Sequence, residues 1–244
     1  RLNELASLLR CIRPDLTEPS RFKALVATCC GPLIEILEDE TLQVIHHSFT
    51  EFLRGDTRSA AATDRVSDFP LIDSQQAHKH MVINCLRYLQ SGSLMLESEK
   101  SDTAVIDPSV TFKLPRHRID FDARHYRREH LGLEDEYDPF EYKEARLQHP
   151  FLSYAVENWS YHASFYDVVD DEFFEAITDF LKPDSISFLR WLILQWGSTS
   201  TSKESSDGLP SALHIAAFAG LSELALRLVQ QGAPVSAFDA QERI

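Results

Sequence analysis

Histidines and carboxylates are the side chains best equipped for chemistry in this chain of 244 residues, which carries 10 His and 38 Asp and Glu. The histidines come in short groups: His46 beside His47, His78 two positions before His80, and His117, His125 and His130 in one stretch. Imidazoles at such spacings bind a metal only when Cys or acidic partners complete the coordination set on a defined element. None of the groups has such partners at ligand spacing, so no metal site is expected. Asp167, Asp170, Asp171 and Glu172 supply the residue types of a glycosidase pair, but that chemistry depends on a carboxylate separation in space. Acids crowded before an apolar helical pattern read instead as helix capping and solvation. The four cysteines, Cys11, Cys29, Cys30 and Cys85, lie in or beside apolar helical patterns and make no C-x-x-C pair. They read as reduced thiols packed as small hydrophobes. The closest two of the eight glycines, Gly197 and Gly208, are 11 positions apart. That spacing excludes G-x-G-x-x-G, G-x-x-x-x-G-K-[ST] and the G-x-S-x-G nucleophile elbow. The chain brings no phosphate cradle and no serine elbow, and it is not expected to be an enzyme.

A formal net charge of −14, with 43% hydrophobic and 25% charged residues, is the composition of a globular protein. The acidic balance argues against a nucleic-acid partner or an anionic membrane, either of which selects a basic face. No apolar run approaches the roughly 18 residues of a membrane span, and no signal peptide is visible. Together with the reduced thiols, this points to the cytoplasm. The length suits one large domain or two to three small ones. The chain begins at Arg1 rather than Met and stops at Ile244 in mid-pattern, so it reads as a fragment of a longer protein.

The elements that hold these side chains follow from periodicity. Leu2, Leu5, Leu9 and Ile12 repeat at the helical period and halt at Arg13 and Pro14. Phe22, Leu25, Val26, Cys29 and Cys30 form a second helical stripe, stopped by Gly31 and Pro32. Two apolar runs, 33–37 and 42–47, flank the acidic turn at 38–41 and predict a hairpin. Ser48 and Glu51 then predict a capping box that opens a short helix through Leu53. Helix, helix, hairpin and helix within residues 1–58 make a winged-helix-like unit.

A polar linker covers 55–72, and Asp73 caps the next helix, with Gln76 at the reciprocal position. There Ala77, Met81, Cys85, Tyr88 and Leu89 share a core face, leaving Lys79, Arg87 and Gln90 for solvent. Residues 92–145 hold a basic patch (Arg116, Arg118, Arg124, Arg127, Arg128) and then an acidic run at 134–138, which read as a self-neutralising surface insertion. Three helices with bulky faces follow. Phe151, Leu152, Ala155, Val156 and Trp159 lie on the first; Phe173, Phe174, Ile177 and Leu181, entered through Asp170, on the second; Phe188, Leu189, Trp191, Leu192 and Trp196 on the third. They imply a helical bundle or the start of a solenoid over 59–196. Residues 197–206 read as a polar linker.

Ser211-Ala212-Leu213-His214-Ile215-Ala216-Ala217-Phe218-Ala219-Gly220, with Leu228-Val229-Gln230-Gln231-Gly232-Ala233 downstream, resembles an ankyrin repeat. Small alanines suit close helix stacking, and Gly220 and Gly232 suit two helix ends. The resemblance gives His214 a structural role, bonding backbone. Ser211 and Ala212 depart from the family's Thr-Pro, and Asp239 stands where a next repeat would begin. One repeat cannot bury its own face, which places an ankyrin array at 207–244 and beyond. Leu42-Gln43-Val44-Ile45-His46-His47-Ser48-Phe49-Thr50-Glu51-Phe52-Leu53 resembles the winged-helix pattern of NACHT-type signal-transduction ATPases. With Phe151 to Trp159 and Tyr161-His162-Ala163, the chain is similar to the fungal, NLR-like NACHT–ankyrin proteins of the STAND class. Such a winged helix also goes by the description GPI inositol-deacylase-type, although no deacylase chemistry is present in this sequence. The resemblance covers most of 1–91 and 148–244 and leaves the 92–145 insertion outside.

In that family a histidine at the end of the second hairpin strand touches the phosphate of ADP bound by a P-loop domain. The resemblance maps that role to His46. Leu42, Val44 and His46 share one strand face, so His46 is expected on the apolar side. The competing reading bonds it to neighbouring backbone or to Glu51. No cofactor is expected in this fragment, and ADP or ATP is expected in the full-length parent. The implied function is a regulatory and protein-interaction segment, whose winged helix closes on nucleotide held by an upstream domain of the same chain. Its ankyrin array would bind a protein partner. The alternative is a constitutive ankyrin scaffold with a helical cap. Winged-helix DNA binding is disfavoured, because the candidate recognition region 22–30 carries one Lys, Lys23, flanked by Arg21.

Overall fold

The computed structural model describes residues 1–13, 19–55, 71–93, 147–166, 168–196 and 210–235. Among the described residues are nine α-helices and one two-stranded antiparallel sheet, a mostly α protein with a small hairpin. Most of the 55–72 linker, nearly all of the 92–145 insertion, the 197–206 linker and Asp239 lie outside the described residues.

Helices α1 (Leu2–Ile12) and α2 (Pro19–Cys30) meet through a small apolar cluster of Leu2, Ala6, Phe22 and Val26. The buried stripe of α2 is narrower than its spacing predicts, because α1 and the hairpin cover only the Phe22–Val26 side. Leu25 is 39% exposed and Cys29 is exposed, which corrects the reading of Cys29 as a packed thiol. Cys85 is buried as expected, and desolvation pushes its thiol up to about 12.

Gly31, at φ +51°, turns the chain into a single 3-10 turn and then the hairpin β1 (Ile34–Ile36) and β2 (Leu42–Val44). Ile34 pairs with Val44 and Ile36 with Leu42. The strands are shorter than the apolar runs because Leu37 already belongs to the turn. Its N–H donates to Thr41 O (2.9 Å), while the Asp39 carboxylate accepts the N–H and hydroxyl of Thr41 at 3.0 and 2.7 Å. Leu2 N–H donates to Glu40 O at 2.8 Å, stitching the start of α1 to that turn. Helix α3 (His47–Arg54) follows and ends at Gly55 in the left-handed conformation.

Helix α4 (Ser74–Tyr88) begins where Asp73 accepts the N–H of Gln75 at 2.9 Å. Its burial is wider than one stripe: Val82, Ile83 and Leu86 are buried along with Cys85 and Tyr88, and so is Lys79. The expectation that Lys79 faces solvent is thereby corrected; α4 is enclosed by neighbours on several sides, and the buried ammonium is paired with the more exposed carboxylates of Asp170 and Glu172. Tyr88 Oη and Ser7 Oγ, 2.6 Å apart, tie α4 to α1.

Helices α5 (Leu152–Ala163), α6 (Asp171–Phe180) and α7 (Ile186–Trp196) build the main core with α4. Trp159 is fully buried, edge-on to Phe180 and to Trp191 at centroid distances of 5.9 and 5.4 Å. Trp191 Nε1–H donates to Val156 O at 3.0 Å, whereas the buried Trp159 Nε1–H has no partner among the described residues.

The chain then forms a helical pair, α8 (Ala212–Ala219) and α9 (Ser222–Gln230). Ser211 caps α8 by accepting the N–H of His214, while Ser211 N–H donates to His214 Nδ1 at 3.1 Å. Gly220, at φ +72°, makes the left-handed turn between the two helices, a conformation that costs a residue with a Cβ about 1 kcal/mol. Ile215, Ala216, Leu221, Leu224 and Leu228 join the same apolar cluster as Leu8, Leu86, Trp159 and Phe180. One core therefore runs from α1 through the bundle to α9.

Candidate functional site

His46 ends the hairpin in extended backbone (φ −142°, ψ 134°) and is itself the N-cap of α3. Its Nδ1 accepts the N–H of Ser48 at 3.2 Å and lies 2.7 Å from Ser48 Oγ. Ser48 was expected to be the cap; the helix starts two residues earlier, with the extended His46 as its N-cap and His47 as its first residue. The His46 ring is exposed and stacks on the His47 ring, centroids 4.4 Å apart. Val44 (40% exposed) and Ile45 (56%) flank it, so the apolar side on which His46 was expected is an open surface. The imidazole thus has Nδ1 committed to the cap on a ring that is exposed as a whole. Glu51 contributes no bond that defines the ring.

A second cluster was not legible in the sequence. Lys79 Nζ donates to Asp170 Oδ2 and pairs with Glu172 Oε2, both at 2.7 Å. Tyr166 OH donates to the same Asp170 oxygen at 2.8 Å, and Asp170 Oδ1 caps α6 by accepting the Phe173 N–H at 2.9 Å. Hydrogen bonds to Asp170 and Glu172 raise the Lys79 ammonium above its ordinary value despite desolvation. Burial pushes the Asp170 carboxyl up, but the bonds from Lys79, Phe173 N–H and Tyr166 outweigh it and the net shift is downward. A lysine that serves as nucleophile or base needs the opposite shift, so this cluster is a tie between α4 and α6. On the other side of the α6 start, the Arg227 guanidinium donates to Val169 O and to the Asp171 carboxylate, and lies 4.3 Å from the Phe174 ring centroid. The acids at 170–172 were expected to cap a helix. Asp170 does so, and all three also take cations, from α4 and α9.

A third cluster joins His78, from one of the histidine groups, to His162, which belongs to none of them. His78 Nδ1 lies 2.8 Å from His162 Nδ1, and His162 Nε2 lies 2.7 Å from Tyr154 Oη. His80 is exposed and takes no part. Among the described residues no group of three or more His, Cys, Asp and Glu side chains converges as a metal would require.

A cleft of about 530 Å³ opens between α1 and α2, lined by Leu2, Ala6, Phe22 and Ala27 with Lys23 and Glu40. No titratable pair in hydrogen-bond contact faces it. Among the described residues, no helix is long and apolar enough to cross a membrane. No family model matches the chain, and no curated protein or solved structure matches it either. The functional argument therefore rests on the chain's own residues.

Proposed function

We propose that the chain is the non-catalytic regulatory and protein-interaction segment of a cytoplasmic NACHT–ankyrin signal-transduction ATPase. In this reading the helix–helix–hairpin–helix unit closes on ADP or ATP held by a P-loop domain elsewhere in the full-length protein. The helical pair α8–α9 starts an ankyrin array that binds a protein partner. The observation that carries the reading is the α8–α9 pair: a Ser211 cap, small Ala216 and Ala217, and a left-handed Gly220 between short antiparallel helices. One face of the pair is buried on the bundle, while Leu226 (53%), Val229 (39%) and Val235 (62%) remain exposed, as on a repeat that stacks neighbours. The exposed His46 ring supports the nucleotide part, since Nδ1 is pinned by the cap while the residue lies open at the surface.

The test separates the two jobs of His46. His46→Ala in the full-length protein is expected to speed ADP release roughly 10- to 100-fold, the equivalent of one charge-assisted hydrogen bond. It is also expected to lower stability by about 1 kcal/mol through the lost cap. His46→Asn restores the cap, because Asn is a good N-cap residue, but supplies no imidazole; stability should recover while ADP release stays fast. Unchanged ADP release in both variants overturns the nucleotide reading. That outcome favours a constitutive ankyrin scaffold, a second reading supported by the unbroken apolar core between the bundle and α8–α9.

A further inference from the structure

The facing nitrogens of His78 on α4 and His162 on α5 are 2.8 Å apart, so a proton must sit between them on one ring while the other accepts it. Both rings are held in place. His78 stacks on Phe165 (centroids 4.9 Å, interplanar 19°), and His162 is bonded through Nε2 to Tyr154 Oη and meets Tyr161 edge-on at 5.6 Å. Burial pushes the Tyr154 phenol up to about 12, so it remains an OH that can donate or accept. The chain of bonds then has two neutral directions and two singly charged forms. In one, the His78 ring stacked on Phe165 bears the cation, where a ring favours it, and donates to His162, which donates to Tyr154; in the other, His162 bears it and donates to both His78 and Tyr154. A second proton has no place: it would set N–H against N–H at 2.8 Å and put like charges side by side in a half-buried seam.

We propose that His78 and His162 form a one-proton latch across the α4–α5 seam, which acid opens by forcing a second proton between the rings. The inference does not depend on the nucleotide reading. The other groups facing the pair reinforce it or are already satisfied. Lys79, next along α4, is neutralised by Asp170 and Glu172. Cys85 of α4 is buried, with its thiol pushed up to about 12. Tyr161 of α5 stacks on the ring edge as above, and Glu4 of α1 acts on Tyr154 at a distance. Desolvation first, and the His78 charge second, lower His162 from 6.5 to about 4. The unfolded chain binds this proton below about pH 6.5, whereas the folded chain refuses it until about pH 4. Stability is therefore full above the unfolded value and is lost as the pH falls through that window.

Imidazole nitrogen NMR of the full chain between pH 8 and pH 4 reads the latch directly. One proton shared between the two Nδ1 atoms, with His162 neutral to well below pH 5, is the expected result. Both rings charging independently near the ordinary histidine value overturns the proposal. The same chain carrying His78→Asn gives a second reading, because the Asn carbonyl can accept from a charged His162. Between pH 7 and pH 5 the unfolding constant of the wild type is expected to rise a few-fold more than that of the variant, which loses the His78 charge but keeps the desolvation of His162. Parallel acid dependence of the two proteins also overturns it. If the variant does not fold, the NMR titration of the wild type decides alone.

Discussion

Trp159→Ala is expected to remove about 3–5 kcal/mol of folding stability, the range for an aromatic side chain deleted from a fully packed core. Trp159 has no exposed surface and contacts both Phe180 and Trp191 edge-on, so three of the four bundle helices lose contact area at one point. Single domains are stable by about 5–15 kcal/mol, so a loss of this size removes a large share of the total. Trp159→Phe should behave very differently. The indole N–H is already buried without an acceptor, so removing it abolishes an unmet polar group and leaves only a modest cavity; a loss below about 2 kcal/mol is expected. Urea unfolding followed by far-ultraviolet circular dichroism measures both. An Ala variant that loses less than the Phe variant would show that the bundle core is not centred on this side chain.

Asp170→Ala should cost about 2–4 kcal/mol, because one carboxylate does three things at once. It caps α6 on the Phe173 N–H, accepts from Tyr166, and balances Lys79. The cap alone contributes about 1 kcal/mol. The remainder comes from Lys79, which is buried and would be left with Glu172, a partner whose own side chain is 61% exposed. Asp170→Asn can keep its single carbonyl oxygen on the Phe173 N–H, but its NH2 group then stands where the second carboxylate oxygen accepts from Tyr166 and Lys79, so it spares only the cap and should lose about 1 kcal/mol less than Asp170→Ala. The pH dependence has a fixed sign. The folded carboxyl titrates below its ordinary value, so its contribution is present above the unfolded pKa and disappears as the pH falls through the folded one. Wild type and Asp170→Ala are expected to differ most at neutral pH and to converge in acid. A difference that grows on acidification would rule out Asp170 as the charged partner of Lys79.

What was readable in advance follows the range of each interaction. The caps at Asp73 and Asp170, the helix end at Gly220 and the acidic hairpin turn are set within four residues of chain, and local spacing was enough to find them; the Ser211 cap is as local but was not anticipated. Lys79 was misplaced because α4 looks one-sided by spacing, yet its partner lies 91 positions away. The His78–His162 contact spans 84 positions and leaves no local trace, since the two histidines fall in separate elements. His46 was singled out for its place after β2, but its capping of α3 was missed: Ser48 is the better cap by residue type, whereas the extended residue before the helix is His46, whose Nδ1 accepts the Ser48 N–H. The exposed Cys29 shows the same limit, a stripe drawn from periodicity alone without knowing how much of it a neighbour covers.

The two apolar clusters have a practical consequence in optical spectroscopy. Every tryptophan of the chain, Trp159, Trp191 and Trp196, belongs to residues 159–196, and the two with described side chains sit in the large cluster, while the small one between α1 and α2 contains none. Intrinsic fluorescence is accordingly blind to the hairpin unit, whereas circular dichroism sums over all helices. Two denaturation curves recorded on one sample, one by each method, would coincide if α1 and α2 melt with the bundle. They would separate if the smaller cluster comes apart first, and the gap between them would measure how much stability the hairpin unit borrows from its neighbour.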